Sequence, residues 1–195
     1  MTGDDPLELF LRWLGEAEEA GVAEPGAMAL ATADPEGRPS VRIVLLRGAD
    51  EQGLRFFTSY ESPKAHDMEA NPRAAVSFNW PQLHRQVRVR GQVRRLPPED
   101  SDAYFASRPR GNRLAAWASE PQSTPVDSRE QLERHYEALE REHSGREVPR
   151  PPSWGGYLLE PEEWEFWSGR ENRLHDRIRY TRTADGGWLV ERLSP

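Results

Sequence analysis

A chain of 195 residues with no cysteine and a formal net charge of −7 can bury one sizeable core, but it excludes disulfides, thiolate metal sites and cysteine nucleophiles. The acidic balance argues against a nucleic-acid binder, and no apolar run reaches the length that spans a bilayer. The acidic opening Met1-Thr-Gly-Asp-Asp-Pro6 is no secretory signal, so a cytoplasmic protein is expected.

Pro6 suits the first turn of a helix, and Leu7, Phe10, Leu11 and Leu14 recur at helical spacing. The first segment, 1–21, thus reads as a helix over 6–20 that Gly21 and Pro25 stop. The pattern then changes to strands at 28–32 and 41–46, joined by a turn at 34–37. Ile43-Val-Leu-Leu46 is apolar on both faces, which predicts a strand covered on both sides. After a turn at 48–53 comes a strand at 54–58. Ser62 stands where it would cap a short helix over 64–70, ended by Asn71-Pro72.

Segments 74–80 and 86–96 read as strands; in the second, Val87, Val89 and Val93 face one way while Gln86, Arg88, Arg90 and Arg94 face the other. Pro97-Pro-Glu-Asp100 opens a helix over 99–106, and 113–118 holds another turn or two. Segment 127–143 is a helix with Leu132, Tyr136 and Leu139 on one stripe, and 149–152 is a stiff linker. Strands at 156–159, 164–167, 177–183 and 188–193 close the chain, with Gly186-Gly187 as a hairpin turn. Helices inserted among strands, rather than alternating with them, predict an antiparallel barrel with helical decoration. A single domain over 1–195 follows: N-terminal helix 1–21, barrel core 22–96, helical insertion 97–150 and C-terminal strands 151–195.

The chemistry concentrates in arginines. Arg85, Arg88, Arg90, Arg94, Arg95, Arg108, Arg110 and Arg113 make the middle of an acidic chain basic, which fits a small phosphorylated ligand better than a long polyanion. Near the C-terminus Trp167, Arg173, His175 and Arg177 fall within eleven residues. If the chain is extended after Asn172, Arg173, His175 and Arg177 share one face. They suit an anionic, planar ligand covered by tryptophan, and equally an edge strand with a basic solvated face. Neither glycine-rich nucleotide loop is present, nor a Gly-x-Ser-x-Gly elbow, and the five histidines lack metal-ligand spacing. No metal is expected; reactivity falls to a bound organic cofactor.

Several segments, in order, resemble the pyridoxamine/pyridoxine 5′-phosphate oxidase family: Arg42-Ile-Val-Leu-Leu-Arg47, Phe57-Thr58 with Ser62-Pro-Lys-Ala65, Arg85-Gln-Val87, Tyr104-Phe-Ala-Ser-Arg-Pro-Arg110, Ala116-Trp-Ala-Ser119 with Gln122-Ser123, Trp154-Gly-Gly156, and Glu165-Phe-Trp167 through Arg173-Leu-His-Asp-Arg177. The resemblance implies an FMN-binding split β-barrel of Greek-key type and a homodimer with FMN at the subunit interface. It also implies oxidation of pyridoxamine or pyridoxine 5′-phosphate to pyridoxal 5′-phosphate, with O2 as acceptor and hydrogen peroxide as product. The implied step is hydride transfer from substrate C4′ to flavin N5.

Carried over by motif, Arg42 and Lys64 meet the FMN phosphate, with Phe57 and Thr58 in the same binding segment. Ile43, Val44, Leu45 and Leu46 run along the flavin, Gln86 bonds its ring, Gln122 and Ser123 reach in from the partner subunit, and Trp167 and Arg177 complete the pocket. Arg47, Tyr104, Arg108 and Asn112 match the substrate-phosphate ligands, with Tyr104 and Arg108 neighbours if their helix extends that far. Arg173 and His175 match the catalytic pair that holds the pyridine; His175 is a candidate for moving a proton.

Four positions depart from the family pattern: Arg47 replaces a usual lysine, Pro63 a usual arginine and Asn112 a usual serine, and Pro121 is an insertion before Gln122. Relatives in phenazine biosynthesis share the fold and FMN but oxidise unphosphorylated cyclohexadiene intermediates. Segments 27–34 and 37–40 suit that branch equally, whereas Tyr104, Arg108 and Arg47 favour a phosphorylated substrate. A non-catalytic flavin or pyridoxal-phosphate binding protein is the third reading, and Arg173 with His175 speaks against it.

Overall fold

The structure, a computed structural model, describes residues 5–195; residues 1–4 of the expected N-terminal segment lie outside it. Helix α1 (Pro6–Glu19) begins where Asp5 accepts the Leu7 N–H at 2.8 Å and Pro6 occupies the first turn. Its buried stripe is Leu9, Phe10, Trp13 and Ala17, rotated from the expected one, and Leu11 is 43% exposed. The aromatic rings decide this. Phe10 packs 4.9 Å from Phe78 and 5.3 Å from Trp164, and Trp13 lies edge-on to Phe166, burying more area than a leucine stripe would.

Strands β1 (Ala27–Ala33), β2 (Pro39–Leu45), β3 (Gly48–Asp50), β4 (Gly53–Ser59), β5 (Arg73–Trp80), β6 (Arg85–Arg95), β7 (Trp154–Ser168), β8 (Asp176–Arg182) and β9 (Trp188–Arg192) form one antiparallel sheet. Its order is β2-β1-β5-β6-β7-β4-β3, with β8 on β7 and β9 on β8. It curls around Phe56, Phe78, Trp80, Trp164 and Tyr180, the split barrel that the resemblance implied. Helices α2 (Pro63–Ala70), α3 (Pro98–Ser107), α4 (Arg110–Ala118) and α5 (Arg129–Glu142) are inserted between strands. Ser62 does sit at the N-cap of α2, but its hydroxyl donates to the Ser59 carbonyl instead of capping. None of the residues of α5 is buried, including the expected Leu132–Tyr136–Leu139 stripe.

Two strand expectations change. Residues 41–45 of the segment expected at 41–46 belong to β2, which ends the sheet and, among the described residues, pairs only with β1. Val44 and Leu46 pack on the core, while Val41 and Ile43 are 68% and 66% exposed. One face is therefore uncovered within a single chain. The two strands expected at 156–159 and 164–167 are instead one fifteen-residue strand. Pro161 cannot donate to the ladder, and β7 accommodates it with a bulge: Arg90 pairs with Glu163 but Gly91 with Pro161. A Cβ on Gly91 would overlap the Glu160 carbonyl, so only glycine fits there.

The continuous β7 does two jobs. Along one edge it pairs with β6; along the other its first half pairs with β4 and its second half with β8.

Candidate active site

A cleft of about 520 Å³ opens between β2, β4, α2 and the α3–α4 corner. It gathers twelve of the expected site residues: Arg42, Ile43, Val44, Leu45, Arg47, Phe57, Thr58, Lys64, Tyr104, Arg108, Asn112 and Gln122. The aromatic cluster of Phe105 and Trp154 forms its base, with Phe57 and Tyr104 packed on it. Phe57 stacks on Tyr104 at 4.0 Å and on Trp154 at 5.5 Å, all three rings nearly parallel. Trp154 was legible only as part of the Trp154-Gly-Gly156 motif, and its place in the cleft was not foreseen. Gly156 explains the close approach, because a Cβ there would stand 2.7 Å from the Phe57 ring.

Local sequence sets each cation. Arg42 is locked by the Leu30 carbonyl (3.1 Å), the Thr32 hydroxyl (2.8 Å) and the Ser40 hydroxyl (2.6 Å), with Asp67 at 4.0 Å. Lys64, the second residue of α2, donates to Thr58 Oγ1 at 3.1 Å and to Gln122 Oε1 at 3.3 Å. Arg108 precedes Pro109, which disfavours helical backbone, so α3 stops at Ser107 and Arg108 is extended (ψ 146). The helix does not carry Tyr104 and Arg108 on one face as expected. The corner nevertheless brings both into the cleft, with the guanidinium 4.7 Å over the Trp154 ring.

The electrostatics ask for an anion. Four cations share this cleft, and among the described residues no carboxylate pairs with Arg47, Lys64 or Arg108. Burial lowers the Lys64 pKa, and the neighbouring Arg42 lowers it further. Burial likewise lowers that of Arg108, with Arg47 adding to it against Tyr104. Arg108 Nη1 is buried without a hydrogen-bond partner. Buried donors of this kind are costly unless something accepts from them.

The other expected residues lie elsewhere. Gln86, Trp167 and Arg177 are register partners on β6, β7 and β8, forming one cross-strand row. The His175 ring sits 4.7 Å from Trp167. His175 Nδ1 accepts the Arg170 backbone N–H at 3.1 Å, so a neutral imidazole carries its proton on Nε2. The chain is not extended at 173–175: Glu171–Arg173 is a short 3-10 turn, and Asn172 and Arg173 have φ of 56° and 60°. Alternation therefore begins only at Asp176, and Arg173 does not share a strand face with Arg177. Two consecutive left-handed non-glycine residues are strained, a feature that clusters at functional sites.

Leu46 packs on the core rather than lining the cleft, and Ser123 (φ 67°) is not among the lining residues. Gln122 was expected from a partner subunit. It belongs to the chain's own cleft, where Thr58 also donates to it at 3.2 Å.

On one chain the cleft and the row draw on different stretches of β7. Trp154 and Trp167 lie at opposite ends of β7, thirteen residues apart, a contour of roughly 40 Å at about 3.3 Å per residue.

The sequence matches the family model described as pyridoxamine 5′-phosphate oxidase over residues 14–143. It also matches the model described as pyridoxine 5′-phosphate oxidase C-terminal dimerisation region over residues 154–195. The chain belongs to the pyridoxine/pyridoxamine 5′-phosphate oxidase family. Proteins of that name from Rubrobacter xylanophilus and Deinococcus deserti are 58% and 57% identical, each over 98% of this chain and 87% and 89% of their own lengths. Among solved structures, PhzG from Burkholderia lata in complex with tetrahydrophenazine-1-carboxylic acid superposes with a TM-score of 0.93 at 35% identity, covering 99% of this chain and 94% of that one. An FMN-binding protein from Nostoc punctiforme (TM-score 0.79, 20% identity, all of both chains) shares the fold.

This is a family of oxidoreductases, and FMN is its cofactor. The residues present fit that group. FMN offers a phosphomonoester dianion and a planar ring; the Arg42, Lys64 and Thr58 donors suit the first, and the Gln86–Trp167 pair suits the second. Pro63, which removes one expected cation, occupies the first turn of α2. Among the described residues no helix is long and apolar enough to cross a membrane, and no cluster of metal-ligating side chains occurs.

Proposed function

We propose that this chain is an FMN-dependent oxidase that converts pyridoxamine or pyridoxine 5′-phosphate to pyridoxal 5′-phosphate. It works as a homodimer whose sites each combine one chain's cleft with the partner's Gln86–Trp167–Arg177 row. One observation carries the reading: a single cleft holds four cations with almost no carboxylate, and one of them keeps a buried, unpartnered Nη1. That is more positive charge than one phosphate needs and enough for two. The match to a dimerisation region over 154–195 supports the dimer, and the length of β7 is consistent with a site shared between its subunits.

Lys64, Arg42 and Thr58 hold the cofactor phosphate, with Gln122 fixing the lysine. Arg108 and Arg47 take the substrate phosphate, with the Tyr104 hydroxyl and Asn112 completing its shell. Guanidinium at position 47 binds such a group as a fork, where the usual lysine would act as a point charge. Bound FMN supplies the two-electron acceptor, and O2 regenerates it with hydrogen peroxide as product. The protein's part is orientation and charge.

Arg173 polarises the substrate near C4′. His175 donates from Nε2 to the pyridine or its hydroxyl, because its Nδ1 is already an acceptor. It therefore positions the ring rather than removing a proton.

The PhzG likeness keeps an unphosphorylated cyclohexadiene carboxylate as the competing substrate. Peroxide release from pyridoxine 5′-phosphate, measured beside such a carboxylate, separates the two. Turnover of the phosphate ester with a much lower KM is expected; turnover of the carboxylate alone overturns the assignment. The shared site has its own test in mixed dimers of Arg108→Ala and Arg173→Ala, assayed at pyridoxine 5′-phosphate far below the raised KM of Arg108→Ala, where each variant alone has little activity. Random mixing restores roughly a quarter of the wild-type rate, because each heterodimer contains one intact site. No recovery would mean that each site comes from one chain.

A further inference from the structure

Below the Gln86–Trp167–Arg177 row runs a second, Arg88–Glu165–Arg179. Its central residue is unusual. Glu165 is 5% exposed, the one charged side chain buried among the described residues. Its Oε1 accepts from Arg177 Nε at 2.8 Å, and its Oε2 pairs with Arg88. Burial pushes its carboxyl upward, yet the hydrogen bonds from Arg177 and Arg88 outweigh this and hold its pKa below the ordinary range.

The neighbouring cross-strand pairs, Arg90–Glu163, Arg94–Glu160 and Arg73–Glu162, each expose half or more of the arginine side chain. Exposed pairs of that kind contribute little. A buried carboxylate is a poor source of stability as well, because desolvation offsets the Coulombic gain. What it does supply is direction. Arg177 Nε is committed to Glu165 and its Nη1 to the Ser194 carbonyl at 2.8 Å, which leaves Nη2 without a partner among the described residues.

We propose that Glu165 is a positioning residue for the cofactor: it fixes the Arg177 guanidinium beside Trp167 and reserves one terminal nitrogen for FMN. This rests on the reading, given above, that Arg177 meets the cofactor. Glu165 itself touches neither substrate nor cofactor.

The test is FMN affinity of the full-length apoprotein, read by quenching of flavin fluorescence in a double-mutant cycle. Arg177→Ala weakens binding about ten-fold or more, the loss of one charge-assisted hydrogen bond. E165Q, which removes the charge at nearly constant volume, weakens it several-fold. In the Arg177→Ala background E165Q has no further effect, because there is no guanidinium left to aim. Arg88→Ala, which leaves the Arg177 contact intact, keeps affinity near wild type.

If E165Q does not fold, E165D enters the same cycle, and its loss of affinity likewise vanishes beside Arg177→Ala. Wild-type affinity in whichever Glu165 variant folds, a loss that persists without Arg177, or an equal loss in Arg88→Ala overturns the proposal. Unchanged affinity in Arg177→Ala alone strikes instead at the cofactor reading of that residue.

Discussion

Replacing Arg108 with methionine separates function from stability at one position. The guanidinium lies 4.7 Å from the Trp154 ring and 5.5 Å from Phe105, with Nη1 buried and unpartnered. An unmet buried donor costs about 1–3 kcal/mol. Cation–π attraction returns about 0.5–2 kcal/mol, and methionine keeps most of the apolar stem packing. These nearly cancel, so Arg108→Met should shift the folding free energy of the apoprotein by less than about 1 kcal/mol, if anything upward.

Substrate binding changes far more. A charge-assisted hydrogen bond to phosphate contributes about 1.5–3 kcal/mol, equivalent to a KM roughly 10- to 150-fold higher. The turnover number should move little, because the contact is made equally in ground and transition states. Peroxide release against pyridoxine 5′-phosphate gives KM, and thermal unfolding of the apoprotein gives stability. Two results refute the reasoning: an unchanged KM, or a destabilisation above about 2 kcal/mol, which would make Arg108 a structural residue.

Two further substitutions probe the cofactor end and the frame. Lys64→Met should weaken FMN binding and abolish its decline at alkaline pH. That decline arises because burial and Arg42 lower the free protein's Lys64 pKa, so the charge that phosphate needs is lost earlier than in an ordinary lysine. The sign for folding is opposite. The lowered pKa penalises the apoprotein fully below its folded value, and the penalty fades as pH rises towards the unfolded lysine value of about 10.4. Fluorescence titration of apoprotein across pH checks the first effect; a wild-type pH slope in Lys64→Met would remove Lys64 from the site. Gly91→Ala must displace the Glu160 carbonyl, a backbone group, and should cost about 3 kcal/mol or more, lowering the melting temperature by roughly 6–12 °C. A melting temperature unchanged from wild type would mean that the β7 bulge tolerates a side chain.

Much of this was legible in the chain itself, and the misses have physical causes. Period and punctuation located the five α-helices, with Pro6, Ser62 and Pro97-Pro98 read as the openings of α1, α2 and α3; Pro109 and Ser128, which mark the starts of α4 and α5, were not read as such. The strand 41–46 looked covered on both faces because composition reports apolarity, not what lies opposite. Pro161 looked like a strand end because a bulge is visible only with its partner strand, where Gly91 sits. Tyr104 and Arg108 were linked by helical spacing, whereas Pro109 decides the matter by breaking the helix between them. The cleft residues were found through ordered motifs. Trp154 escaped because stacking on Phe57 joins segments nearly a hundred positions apart. The left-handed pair Asn172-Arg173 left no mark in residue type beyond the asparagine.

The long span of β7 has a consequence for how such an enzyme responds to its own abundance. If the shared-site proposal holds, then with Trp154 and Trp167 at opposite ends of a single strand a solitary subunit carries two unfinished halves and no working whole. Catalysis then obeys mass action between copies: dilution below the dissociation constant silences both centres together, and scarcity of the protein, more than any inhibitor, becomes the simplest off switch.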